Sequence, residues 1–181
     1  KYLTSNKRQL IEFDLVSFRH PKHQKIRAAE REKRFVYGKI NSIYVLRASY
    51  GRKNVLGKDF NNKGVEVSFT YTGGLSIAGV KPVYLNINNP FSPQTPALVK
   101  YDPEEHSIFD IYSGGPNFSG MNEISAIFGA HVKSGFMFDY SHYKNYVRAL
   151  EVGVSIDYFL KPVPMMAFNP NYSLFPNVYL K

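Results

Sequence analysis

The chain predicts an all-β fold, an antiparallel transmembrane β-barrel of about eight strands, and three observations carry that expectation. Between Tyr146 and Phe159, Leu150, Val152, Val154, Ile156 and Tyr158 alternate with Ala149, Glu151, Gly153, Ser155 and Asp157. Successive side chains of a strand point to opposite faces, so one face is apolar while the other carries small residues and two carboxylates. Water-facing strands favour Thr, Lys and other long polar residues, whereas small residues beside charges suit a narrow interior. Phe and Tyr number 14 each while Trp and Cys are absent, an aromatic excess typical of β-rich chains. No run of about 20 apolar residues offers a membrane helix, but a barrel strand needs only about 9 to 11 residues per crossing.

The elements follow in order. Lys7 to Phe18 sets Ile11, Phe13 and Leu15 against Glu12 and Asp14. Phe35 to Tyr50 sets Val36, Ile40, Tyr44, Leu46 and Ala48 against Lys39, Asn41 and Arg47. Gly64 to Thr72 alternates Val65, Val67, Phe69 and Tyr71 with Glu66, Ser68 and Thr70, and Gly73-Gly74 reads as a two-residue hairpin. Leu75 to Ile87 would return, with Pro82 marking a bulge, an end or an edge because proline cannot donate to a ladder. Residues 88–119, with five prolines and Gly114-Gly115, read as a long loop or lid. Strands resume at Met121 to Phe128, at Val132 to Tyr140, over Tyr146 to Phe159, and at Tyr172 to Leu180. One domain over residues 1–181 is expected, beginning at Lys1 as a mature or truncated chain from which a leader has been removed. The long connections at 19–34 and 88–119 do not fall on one side of the Gly73-Gly74 turn under every strand count, so sides stay unassigned.

Charge is unevenly placed. Residues 1–64 hold 16 Lys/Arg against 5 Asp/Glu, and residues 65–181 hold 7 against 9. The densest run, 19–34, offers Arg19, Lys22, Lys25, Arg27, Arg31, Lys33 and Arg34 as a basic loop. It is either a solvated segment or a contact for lipid phosphates or an acidic partner. It has no interleaved aromatics, so a nucleic-acid partner is not expected. The inward charges would be Glu12, Asp14, Glu66, Asp139, Glu151 and Asp157 against Lys39, Arg47, Lys81 and Lys133, paired in a lumenal network that plugs the barrel. Phe35, Tyr50, Tyr71, Tyr84, Tyr140, Tyr143, Tyr146 and Tyr158 near strand ends could form interfacial girdles, or lie in an ordinary core.

Catalytic signatures are sparse. There is no G-x-S-x-G elbow and no phosphate-binding glycine loop. Glu151 and Asp157 lie six residues apart on one strand, about 20 Å and too far for a catalytic pair. Asp102, Glu104, Glu105 and His106 gather in the long loop without the alternate spacing of a calcium loop. His20 and His23 sit among cations that disfavour a metal, and His131 and His142 are expected to flank a strand in polar surroundings. Ser141-His142 is the adjacent pair that a lipid-modifying enzyme would need, but neighbours on a strand face opposite ways. No enzymatic activity, cofactor or metal is expected. A soluble lipocalin-like barrel remains the rival, with the apolar residues facing a cavity and the acidic ones facing water.

The series Phe35-Val-Tyr-Gly-Lys-Ile-Asn41, Leu46-Arg47, Gly64-Val-Glu-Val67, Lys81-Pro-Val-Tyr-Leu85, Tyr101-Asp-Pro, Leu150-Glu-Val-Gly153 and Pro164-Met-Met-Ala167, with His20-Pro-Lys22, resembles a family of Bacteroidota outer-membrane β-barrel proteins without an established activity. The resemblance runs from about Leu10 through most of the chain. It implies a location in the outer membrane of a Gram-negative bacterium, contact with outer-membrane lipid or lipopolysaccharide, and a structural or accessory role in a larger complex for protein insertion or secretion. It implies no reaction. Family members carry an earlier glycine-rich segment and a short tail, so terminal strands are expected to be missing here.

Overall fold

A computed structural model describes residues 2–4, 7–22, 24–26, 33–57, 65–88, 95–140 and 148–181. His23, Arg27, Arg31, Ser141, His142, Tyr143 and Tyr146, named above, lie outside the described residues. The strands are β1 (Tyr2–Thr4), β2 (Lys7–Phe18), β3 (Asn41–Gly57), β4 (Glu66–Pro82), β5 (Tyr84–Ile87), β6 (Ala97–Lys100), β7 (Ile111–Gly114), β8 (Ser125–Asp139), β9 (Ala149–Val163) and β10 (Tyr172–Leu180). A short 3₁₀ turn, Met121–Glu123, precedes β8. No described helix is long and apolar enough to cross a membrane, which says nothing of strands.

Every ladder is antiparallel. Seven strands form one sheet in the order β1-β2-β3-β4-β8-β9-β10, and β6-β5-β7 form a second. Two corrections follow. Gly73-Gly74 is not a hairpin but the middle of β4, pairing with Tyr50 and Ser49 on one side and Val132 and His131 on the other. A Cβ on Gly74 would lie 1.9 Å from the Ala48 carbonyl oxygen, so glycine serves close strand approach there and not a turn. Likewise 121–128 and 132–140 belong to one strand, β8, because Gly129 sits flush against Tyr158 and Phe159 without breaking the ladder. These fusions leave six long strands and the short β1 in the large sheet, in place of about eight.

The second expected strand also shifts, to 41–57. Phe35 bridges back to Ile26, and Gly38 takes a positive φ of 75°, which turns the chain before β3 begins. Pro82 ends β4, as its missing N–H requires. The expected lid at 88–119 carries β6 and β7, which pair with β5 over a small core of Phe35, Leu85, Ile87, Tyr101 and Ile111.

The large sheet is rolled. Lys133 on β8 reaches Glu12 on β2 at 3.0 Å, although three ladder steps of a flat sheet would separate them by about 14 Å. Lys181, just past β10, reaches the same carboxylate at 3.2 Å, and Phe18 of β2 packs on Phe175 of β10 with ring centroids 5.2 Å apart. The two end regions thus meet across the interior. Among the described residues no ladder joins β10 to β1 or β2, so the sheet is not closed into a barrel.

Rolling puts the polar parity inside. Phe13, Leu75 and Val178 are 76%, 72% and 80% exposed, and Ile11, Leu46, Phe128, Val154 and Leu160 share that outer surface. Arg47, Thr70, His131, Lys133, Glu151 and Asp157 are buried on the other parity. The acids therefore face inward, opposite to the arrangement required of a lipocalin-like barrel.

The connections 19–40, 83–124 and 164–171 all leave from the end where β2, β4 and β9 finish. At that end the inner face turns apolar: Val36, Ile43, Val45, Ala78, Val80, Phe159, Val163, Met165 and Met166 form a buried cluster that fills the mouth. The connections at the opposite end, 58–65 and 140–148, are shorter than 19–40 and 83–124.

Candidate functional site: a charged interior and a basic rim

The interior is layered. Beneath the apolar mouth, Arg47 Nε and Nη2 donate to the two oxygens of Asp157 at 2.9 and 2.6 Å, a bidentate pair between β3 and β9. Asp157 is fully buried, and the Phe18 ring lies 5.5 Å from the guanidinium carbon. The fork geometry satisfies both partners, which is what makes such a pair tolerable without water. Deeper, Glu12 accepts from Lys133 and Lys181. Glu151 Oε1 accepts from the Tyr179 hydroxyl at 2.7 Å and lies 2.9 Å from the Thr70 hydroxyl. Lys53 faces Glu66 at 3.7 Å near the far end.

Glycines make room for this network. Gly135 and Gly153 pair across β8 and β9, and the Tyr179 hydroxyl lies over them, within 2.5 Å of where a Cβ on Gly153 would stand. The Lys133 ammonium caps the Tyr179 ring at 4.5 Å from its centroid. Gly153, on the face opposite Leu150, Val152 and Val154, is thus with Gly135 the floor under a half-buried tyrosine, which the sequence pattern alone does not reveal.

Of the ten charges expected inside, Glu12, Arg47, Glu66, Lys133, Glu151 and Asp157 hold the contacts just described. Asp14 shares their parity, opposite Arg47 in register, and Asp139 lies opposite Glu66. Lys39 and Lys81 are corrections. Lys39 lies in the turn before β3, bridging Met166, and Lys81 pairs with Ser42 at the end of β4 on the outward parity. Alternation assigned Lys39 to a strand that starts two residues later. His131 sits mid-strand, not at a strand flank, with both ring nitrogens buried and without a hydrogen-bond partner among the described residues.

Lys39 and Lys81 instead join the basic segment. A cleft of ≈ 530 Å³ at the rim is lined by Lys25, Lys33, Arg34, Lys39 and Lys81, between β3–β4 and the small sheet. Two backbone bonds between Ile26 and Phe35 (2.8 and 3.0 Å) and one from Gly114 N to Lys33 O (2.9 Å) hold the segment in place. Arg19 is exposed, and Lys22 donates to Asn169 at 2.9 Å, away from the cleft.

Girdle and metal expectations fare unevenly. Tyr50, Tyr71, Tyr140 and Tyr158 are exposed on the outside, whereas Phe35 is in the small core. On the small sheet, Glu123 binds both the Tyr84 hydroxyl and, at 2.8 Å, Lys100. In the 102–106 loop, Asp102 Oδ1 accepts from Glu104 N at 2.9 Å, and His106 Nδ1 accepts from Asp102 N at 3.1 Å, a turn that satisfies its own polar groups. No cluster of three potential metal ligands occurs among the described residues. No known family model matches the chain, and neither the curated proteins nor the solved structures offer a match.

Proposed function

We propose that this chain is an outer-membrane β-barrel of a Gram-negative bacterium, related to the Bacteroidota family it resembles, that serves as a structural or accessory subunit of a larger complex for protein insertion or secretion. The observation that carries the reading is the inverted polarity of the large sheet: large apolar side chains cover its outside while ion pairs fill its inside. In water this arrangement would expose an apolar wall far beyond the few hundred Å² that a monomer ordinarily tolerates. Against lipid it is the favourable one.

Strand length agrees. β3 and β4 have 17 residues each, and β8 and β9 have 15, enough to cross a hydrocarbon layer at a barrel tilt. The end carrying the long connections corresponds to the cell exterior by the usual asymmetry of such barrels. The edge between β10 and β1–β2 supports the accessory role. Unpaired backbone groups in lipid are costly, so a further strand, whatever its source, would complete the wall there. An ion-paired interior behind an apolar mouth suits a wall element better than a conduit, and no reaction is proposed.

Membrane fractionation tests the reading. The chain, expressed in a Gram-negative host, is expected to stay in the membrane pellet through a carbonate wash and to leave with detergent. Release into the aqueous wash overturns it. Detergent pull-down from the native cell then tests the accessory role, and recovery of the chain alone in monodisperse form overturns that part.

A further inference from the structure

The rim cleft is a concentration of positive charge without a counter-charge among the described residues. Lys25, Lys33, Arg34, Lys39 and Lys81 line it, and none of its described lining residues is acidic. Two of its ammonium groups are held in place by neutral oxygens: Lys33 Nζ donates to Gly115 O at 2.6 Å and Asn117 Oδ1 at 3.0 Å, and Lys81 Nζ donates to Asn117 O at 2.8 Å. An ammonium has three donors, so each keeps capacity for an anion. Glu123, on the other side of Tyr84, is engaged by Lys100. Half-buried Lys39 is held below the ordinary lysine value first by burial and then by the repulsion of Arg19, Lys81 and Lys25.

Position narrows the ligand. Ser42, Tyr44 and Lys81 belong to the outward parity, so the cleft opens on the outside of the rolled sheet, not into its interior. Tyr44 also lines it, and beyond Tyr44 and its register partner Gly79 the outward residues along β3 and β4 are Leu46, Ile77 and Leu75, all exposed. A cationic pocket thus lies directly above an apolar wall. An amphiphile with a phosphate at one end and hydrocarbon at the other matches both, and Arg34 supplies the planar fork that suits phosphate oxygens. A soluble acidic peptide would use the charge and leave the wall idle.

Resting on the membrane reading above, we propose that the cleft binds the phosphate of a lipid headgroup, with Lys33, Arg34, Lys39 and Lys81 as its ligands and the acyl chains lying along Leu46, Leu75 and Ile77. Juxtamembrane cations contribute about 1 kcal/mol each toward anionic lipid, or about five-fold in affinity per charge.

Calorimetric titration of the detergent-solubilised chain with short-chain phosphatidic acid, short-chain phosphatidylcholine and sodium pyrophosphate tests it. Phosphatidic acid is expected to bind at least tenfold more tightly than either of the others. The double variant Lys33→Gln/Arg34→Gln, both exposed positions, should weaken it about 30-fold, and Lys22→Gln, outside the cleft, should not. Heat-modifiable gel mobility verifies that each variant is folded, and Lys39→Gln gives an independent loss of about five-fold. Equal binding of the two lipids, or an unchanged double variant, overturns the proposal. Pyrophosphate binding as tightly as phosphatidic acid overturns the lipid source in favour of free phosphate. Failure of the membrane reading itself shows separately, as release in the carbonate wash.

Discussion

The two sheets of this protein bury opposite things. The small sheet, β5 to β7, packs Leu85, Ile87 and Ile111 with Phe35 and Tyr101 into an apolar core, as a sheet in water does. The large sheet buries Arg47, Lys133, Glu151 and Asp157 and turns Phe13, Leu75 and Val178 outward. Both obey the same rule of alternation and the same ladder geometry. What differs is the curvature and hence which parity is enclosed. A narrow roll leaves room for glycines, hydroxyls and charges that reach each other, and under the proposed membrane reading its apolar outer face is covered by lipid.

The sharpest way to break the comparison is at Asp157. Asp157→Leu leaves the Arg47 guanidinium buried without its partner and is expected to cost about 3–5 kcal/mol, read as a lower urea midpoint for the detergent-folded chain. The double variant Arg47→Met/Asp157→Leu should recover most of that loss, because an apolar pair of similar volume is often neutral or stabilising. If the double variant is as unstable as the single, the pair does more than neutralise itself.

Leu85→Ala removes a side chain buried in the small core and should cost about 2–5 kcal/mol locally. The two apolar clusters are separate, so faster proteolysis of 83–120 is expected with the heat-modifiable mobility of the large sheet retained. Loss of both together would show that the sheets fold as one unit.

Gly153→Val places a Cβ 2.3 Å from Ser134 O and 2.7 Å from Gly135 Cα, backbone atoms that cannot yield as a side chain would. Overpacking of this kind costs about 1–3 kcal/mol, and displacement of Tyr179 should appear in its near-ultraviolet circular dichroism. Thr70→Val, which removes a hydroxyl from beside Glu151 while the Tyr179 bond remains, is expected to cost less, about 1 kcal/mol.

The smallest effect concerns pH at the rim. Burial and the charges of Arg19, Lys81 and Lys25 hold Lys39 below the ordinary value of 10.5, and Lys33 and Arg34 line the same cleft. Its folded form therefore releases its proton before the unfolded form does. A bound phosphate favours the charged lysine, so affinity should be full near neutrality and decline as pH rises through the depressed value. Lys81 is likewise held below the ordinary value by burial and by the charge of Lys33, so in Lys39→Gln the early decline should shrink but persist, and calorimetry across alkaline pH checks it.

Much of the ladder was legible. β2 and β10 fall where alternation puts them, at Lys7–Phe18 and Tyr172–Leu180: β2 alternates without a breaker, and β10 carries Pro176 at the edge of the sheet, where a missing N–H is tolerated. The misreadings cluster at glycine. Gly73-Gly74 reads as a turn and the strand reading stops at Phe128, just before Gly129, since local sequence does not distinguish a glycine that bends the chain from one that admits a neighbouring backbone. The charged interior was legible in part. Parity identified Glu12, Arg47, Lys133, Glu151 and Asp157 but not who pairs with whom, and it misplaced Lys39 and Lys81.

By itself the sequence determined that the chain is β-rich, which residues share a face, and that two kinds of side chain are segregated between faces. Those are properties of a two-residue period, written locally along the strand. The tertiary structure decided which face is enclosed, how Arg47 reaches Asp157 across three ladder steps, and that Lys39 and Lys81 leave the interior to join Lys25, Lys33 and Arg34 at the rim. Curvature and strand count are cooperative properties of the whole sheet, and no local window contains them.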